Sequence, residues 1–119
     1  IKNFDFKRKL IMGNTNVYRD WGWAPDYVDA IYKINSSKKR SDYVVATGKS
    51  YSLDYFIKKA FSISKIDQSY YIKNNKKHLR NKEVNKVYCD NKKIKKDLGW
   101  KPKHNIDLII KKLLNNELL

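Results

Sequence analysis

The chain carries a single cysteine, Cys89, so no disulfide can close within it, and a reducing cytoplasm is the compartment this usage suits. No apolar run reaches the roughly 18 residues that a membrane-spanning helix needs. The charged positions Lys2, Asp5, Lys7, Arg8 and Lys9 have no apolar stretch behind them, so the pattern of a secretion signal is missing. The four glycines fall in no GxGxxG or Walker spacing, and no nucleophile elbow occurs. These gaps leave the chain without a dinucleotide loop or an evident catalytic base. His78 and His104 stand at no metal-ligand spacing from each other or from Cys89. An initiator methionine is also missing, and a first residue of Ile1 suits a piece of a larger protein.

Acidic residues are scarce as well: 12 Asp and Glu stand against 27 Lys and Arg, for a net charge of +15. Such a balance invites a nucleic-acid reading. The distribution argues against it. The basic residues are mostly Lys, accompany many Asn and Ile, and sit in separate pairs such as Lys38-Lys39, Lys58-Lys59, Lys76-Lys77 and Lys92-Lys93. A groove that tracks phosphates would cluster arginines with exposed aromatics. Solvated faces are the better reading, and no nucleic-acid partner is expected.

The 119 residues and their 41% hydrophobic content allow one domain at most. Residues 7–12 read as a short strand ending at Gly13-Asn14. Helical periodicity starts near Ala24, with Pro25 in the first turn, where its missing N–H costs nothing. Tyr27, Val28, Ala30, Ile31 and Ile34 give that helix an apolar stripe, and Asn35-Ser36-Ser37 ends it. Residues 43–47, YVVAT, look like a strand buried on both faces in a parallel sheet. Ser52 caps a helix lined by Leu53, Phe56, Ile57, Ala60 and Phe61. Tyr70-Tyr71-Ile72 and Val87-Tyr88-Cys89 are candidate short strands around a polar loop. Asp90 or Asn91 caps a helix over 92–98, stopped by Gly99. Asn105 caps a last helix with Ile106, Ile109, Ile110, Leu113 and Leu114 on its apolar face. The order is mixed α/β, with short strands and about four helices.

The stretch GNTNVYRDWGWAPDYVDA, residues 13–30, is the richest in chemistry. Arg19-Asp20 admits two readings. One is an ion pair bracing a turn; the other has Arg19 on a nucleotide diphosphate while Asp20 holds nearby backbone. Guanidinium suits phosphate because its planar fork donates two parallel hydrogen bonds. Trp21 and Trp23 fit core packing. Arg80 stands out as an Arg in a Lys-rich loop, where fork geometry rather than charge explains the choice; a surface charge is the plain alternative. Glu83, three residues on, suits ribose hydroxyls or a salt bridge to a nearby Lys. Tyr55 and Lys59 match Tyr-x-x-x-Lys in letters only, because they lie on an evident amphipathic helix far from any cofactor loop. Cys89 follows an apolar pair and fits a buried small residue. His104, in the corner after Pro102-Lys103, is expected to be exposed.

Four blocks, in order, resemble the C-terminal portion of the GDP-mannose 4,6-dehydratase family, which belongs to the extended short-chain dehydrogenases/reductases. They are GNTNVYRDWGWAPDYVDAIY, DYVVATGKSYSLDYFIKKAF, HLRNKEVNKVYCDNKKIKKDLGWKPK and the closing helix. The first block is the specific one; RDW turns and LGW-x-P endings are shared more widely among nucleotide-sugar epimerases and dehydratases. The resemblance implies the C-terminal substrate-binding part of a Rossmann-type enzyme over residues 1–119, with 43–47 as an edge element of a Rossmann sheet. For the complete enzyme it implies GDP-mannose as substrate and NADP as hydride carrier. The hydride leaves C4 of the hexose, water is lost across C5 and C6, and the hydride returns to C6, giving GDP-4-keto-6-deoxy-mannose. A homo-oligomer in the cytoplasm is implied as well.

The family's catalytic Tyr, Lys, Thr and Glu and its NADP loop would lie upstream, so no catalytic, cofactor or metal residue is assigned here and the piece alone should be inactive. On the substrate side the resemblance carries over Arg19 and Arg80 to the diphosphate, Glu83 to the ribose and Asn14 to the strand edge beside the nucleotide. Leu79 and Asn81 depart from the family's usual aromatic and Pro, Thr15 replaces a Leu, and the segment between Phe61 and Arg80 is shortened. Another nucleotide-sugar dehydratase, epimerase or reductase is therefore the alternative, with a stand-alone basic nucleic-acid-binding module behind it.

Overall fold

Two of the four helices described start on a side chain that caps them, and these set the frame. The structure, a computed structural model, describes residues 9–72, 84 and 86–115. Strand β1 (Leu10–Ile11) and strand β2 (Tyr18–Asp20) precede helix α1 (Ala24–Ser36), which has Pro25 in its first turn. Strand β3 (Ser50–Ser52) runs directly into helix α2 (Leu53–Ile63), and the Ser52 hydroxyl accepts the N–H of Tyr55 at 3.0 Å. A 3-10 turn (Gln68–Tyr70) leads to strand β4 (Tyr71–Ile72). Helix α3 (Lys92–Leu98) ends on Gly99 at φ +62, and helix α4 (Ile106–Leu114) begins with the Asn105 side chain accepting from Leu108 N–H.

The strands form two small ladders. β1 pairs with β4 in parallel, Leu10 opposite Tyr71. β2 pairs antiparallel with β3, in the register Tyr18–Ser52, Arg19–Tyr51 and Asp20–Ser50. Beyond its start, the β2–β3 unit is tied to the preceding loop: Leu53 N–H donates to Val17 carbonyl and Asp54 N–H to Thr15 carbonyl, both residues buried. α2 packs on α4, and each buries its stripe, Ile57 and Phe61 on one, Ile106, Ile109 and Ile110 on the other. A second core gathers Ala30, Ile94 and Trp100, with Tyr27, Ile34, Tyr43, Val45 and Leu98 against it.

Residues 43–47 correct the expectation. They form no strand, and Val44 is exposed rather than buried. Side chains bond backbone groups at the end of this run and on both sides of it. Asn91 Nδ2 donates to Ala46 carbonyl, Lys93 Nζ to Asp42 carbonyl, and the Thr47 and Gly48 N–H groups to Asp20. Tyr43 Oη adds a bond to Asp97, whose carboxyl is held below its ordinary range chiefly by the Lys39 ammonium. The strand expected at Val87-Cys89 is also replaced. A parallel bridge joins Tyr18 to Lys86, and Val87 N–H donates to Tyr18 carbonyl. Leu113 and two of the five residues of the α1 stripe, Val28 and Ile31, are exposed. Among the described residues no helix is long and apolar enough to cross a membrane.

Candidate functional site

β2 and the turn after it hold the distinctive residues, and each side chain there has a separate partner. Arg19 lies on β2, half-buried, with Nη1 donating to its neighbour's Tyr18 carbonyl and across to Val84 carbonyl, both at 2.8 Å. No carboxylate pairs with it among the described residues. The brace reading of an Arg19–Asp20 ion pair is therefore replaced. Asp20 instead spends both oxygens on backbone, Oδ1 on Thr47 N–H at 2.9 Å and Oδ2 on Gly48 N–H at 2.8 Å. Trp21 Nε1 donates to Tyr51 carbonyl. At Gly22 a Cβ would fall inside the Tyr27 hydroxyl, so the glycine makes room for that ring. Burial, and then the charge and hydrogen bond of Asp20, push the Tyr27 hydroxyl up to about 12.

Asp26 extends the clamp to the far end of the chain. It is buried, and its Oδ2 accepts the N–H groups of Lys103 and His104, each at 3.0 Å. Its Oδ1 lies 2.9 Å from His104 Nδ1, which places a proton on that nitrogen. Trp100 Nε1 donates to Asp26 carbonyl. His104 is thus held against the fold, not exposed as its corner position suggested. No local signal marks Asp26, because an Asp in a first helical turn is already explained by the helix dipole. Its partners lie 77 and 78 residues away.

Of the residues expected to bind substrate, Arg19 is accounted for above. Asn14 serves its own turn, with Oδ1 accepting Asn16 N–H at 2.9 Å. Arg80 and Glu83 lie outside the described residues. Val84, the next residue after Glu83, is the one that Arg19 reaches. Tyr55 and Lys59 both turn to one carboxylate on α4, Tyr55 Oη to Asp107 Oδ1 and Lys59 Nζ to Asp107 Oδ2. They staple α2 to α4. Desolvation and the Asp107 hydrogen bond raise the Tyr55 hydroxyl, the opposite of what a phenolate catalyst needs. Cys89 is half-buried. Among the described residues no three of His, Cys, Asp or Glu are placed to hold a metal.

Residues 2–113 match the family described as GDP-mannose 4,6 dehydratase. The chain belongs to that family. It is 34% identical over 110 residues to GDP-mannose 4,6 dehydratase 1 of Arabidopsis thaliana, covering 92% of this chain and 30% of that protein. Against the GDP-mannose 4,6 dehydratase of Homo sapiens it is 26% identical over 124 residues, covering 90% of this chain and 33% of the relative. The chain thus spans about a third of the length of these relatives. RMD from Pseudomonas aeruginosa, solved with NADPH, superposes with a TM-score of 0.83 at 19% identity, over 98% of this chain and 38% of that one. dTDP-glucose 4,6-dehydratase from Bacillus anthracis, solved with NAD, gives 0.80 at 14% identity, over 92% and 34%. These likenesses carry the fold, that of one part of a Rossmann-type dehydratase.

Both of these structures hold a dinucleotide, and two glycines of this chain are closed to one. Gly22 is filled by Tyr27, and Gly48 sits against the Asn91 side chain. Neither opens a backbone cradle of the kind a pyrophosphate enters. No chemical step is assigned to a cofactor on these residues.

Proposed function

We propose that this chain is the C-terminal, substrate-binding part of a GDP-mannose 4,6-dehydratase, acting within a complete enzyme that converts GDP-mannose to GDP-4-keto-6-deoxy-mannose. Arg19 and Arg80 grip the diphosphate, Glu83 takes the ribose, and Asn14 lies at the strand edge beside the nucleotide. NADP is held by a region outside this chain, which supplies no catalytic group and is inactive alone. The working form is a cytoplasmic homo-oligomer.

One observation carries the reading. The Arg19 guanidinium bonds the carbonyl that directly follows Glu83, so the segment after the Arg80–Glu83 motif runs beside β2. Only Nη1 is used by the two carbonyls, which leaves the rest of the fork for phosphate.

Titration of GDP-mannose into the complete enzyme tests this. Arg19→Ala and Arg80→Ala should each weaken binding by about 1.5–3 kcal/mol if the bonds to charged phosphate are direct. Unchanged affinity in both variants would refute the assignment. UDP-glucose and dTDP-glucose as competitors distinguish a GDP-sugar site from that of another nucleotide-sugar enzyme.

A further inference from the structure

A cleft of about 450 Å³ opens between the loop before β3, helix α3 and the corner that leads into α4. Its walls carry Lys49, Lys95, Lys101 and Lys103 together with His104, and no Asp or Glu lines it. Some lysines elsewhere find carboxylates: Lys39 meets Asp97, Lys58 meets Asp54, and Lys59 meets Asp107. The four cleft lysines enter no ion pair among the described residues. Two carboxylates bonded to lining residues are engaged elsewhere: Asp20 accepts Thr47 N–H and Gly48 N–H, and buried Asp26 takes Lys103 N–H, His104 N–H and the His104 ring. That ring is fixed by its Nδ1, leaving Nε2 as its one remaining polar atom.

A concave surface lined by one sign of charge concentrates its field and draws counter-ions. The volume falls within the roughly 300–1,000 Å³ of small-molecule sites, whereas a nucleic acid would need basic residues continuing along a track. Trp21 and Tyr51 add an apolar wall. Arg19 is not among the lining residues, so this is a different place from the diphosphate site proposed above. We infer that the cleft binds a phosphorylated small molecule bearing more than one phosphate charge. Four ammonium groups in one concavity exceed what a single phosphate balances.

The test is calorimetric titration of inorganic pyrophosphate into the complete enzyme carrying Arg19→Ala and Arg80→Ala, which removes the two other proposed phosphate contacts. Saturable binding should persist. Adding Lys49→Ser, Lys101→Ser and Lys103→Ser should then weaken it at least tenfold. A matched control, Lys38→Ser with Lys96→Ser and Lys111→Ser, removes the same charge outside the cleft and should change affinity no more than twofold. Equal losses in the two triple variants would reduce the effect to net charge and overturn the inference. So would loss of pyrophosphate binding on Arg19→Ala with Arg80→Ala before any cleft lysine is changed, or no saturable binding at all.

Discussion

The two faces of helix α1 make the sharpest contrast in the molecule. The inner face carries Asp26, Tyr27, Ala30 and Ile34, and every polar group described there is used: Asp26 by the 103–104 backbone and His104, Tyr27 by Asp20. The outer face shows Val28 at 64% exposure, Ile31 at 62% and Tyr32 at 71%. One helix is thus completed on one side and left apolar on the other. The Cα radius of gyration, 17.2 Å, fits this picture, since a closed domain of this length would have one of roughly 13–14 Å. The inner face teaches what the family's motif is for locally. RDWG and the DYV helix start form a clamp that fastens the 47–48 loop and the 100–104 corner.

The clamp breaks first at Asp26. Asp26→Ala leaves two backbone N–H groups and the His104 ring without their acceptor in a buried place. The expected cost is at least about 3 kcal/mol, because bonds to a charged group are lost and buried donors go unsatisfied. That is a large share of the roughly 5–15 kcal/mol that holds a whole domain. Urea unfolding of the variant against the parent measures it, and an unchanged midpoint would show that the clamp holds nothing.

How much of this could be read in the letters depends on how far each interaction reaches. Caps act within three residues, and Ser52, Asn105 and Gly99 were all legible. Of the two readings of Arg19-Asp20, the one in which Asp20 holds backbone rather than pairing with Arg19 is met, at Thr47 and Gly48. YVVAT misled because β-branched, apolar composition reports burial and extension, not who satisfies the backbone. Here Asn91 takes the Ala46 carbonyl and Asp20 the Thr47 N–H, both from far along the chain. Asp26 and His104 were invisible as a pair for the same reason. The outer face of α1 looked like the inner one, since a stripe at three- and four-residue spacing does not say how much of it is covered.

The outer face gives a smaller effect, on association rather than on unfolding. Val28→Glu with Ile31→Glu replaces two exposed apolar side chains by good helix formers. The 119-residue chain is expected to be marginally stable and prone to aggregate. The double variant should keep the unfolding midpoint within about 0.5 kcal/mol, as surface changes do, while light scattering of the concentrated chain falls. A drop in stability of several kcal/mol, with scattering unchanged, would mean that the face is already covered by the chain's own residues.

The inner face offers the finest probe through Tyr27. Its hydroxyl titrates near 12 in the fold against an ordinary value of 10.0, because burial and the Asp20 carboxylate disfavour the phenolate. Below pH 10 both folded and unfolded states keep the proton, and this group contributes no pH dependence. Between about 10 and 12 the unfolded chain sheds its proton while the folded chain retains it, so stability falls as pH rises. Above 12 the difference is constant. Lysines and other tyrosines titrate in the same range, so the quantity to follow is the stability of the parent minus that of Tyr27→Phe. It should be flat up to pH 10 and decline beyond it. A difference that stays level across that window would place the Tyr27 hydroxyl in water and dissolve the contrast between the two faces.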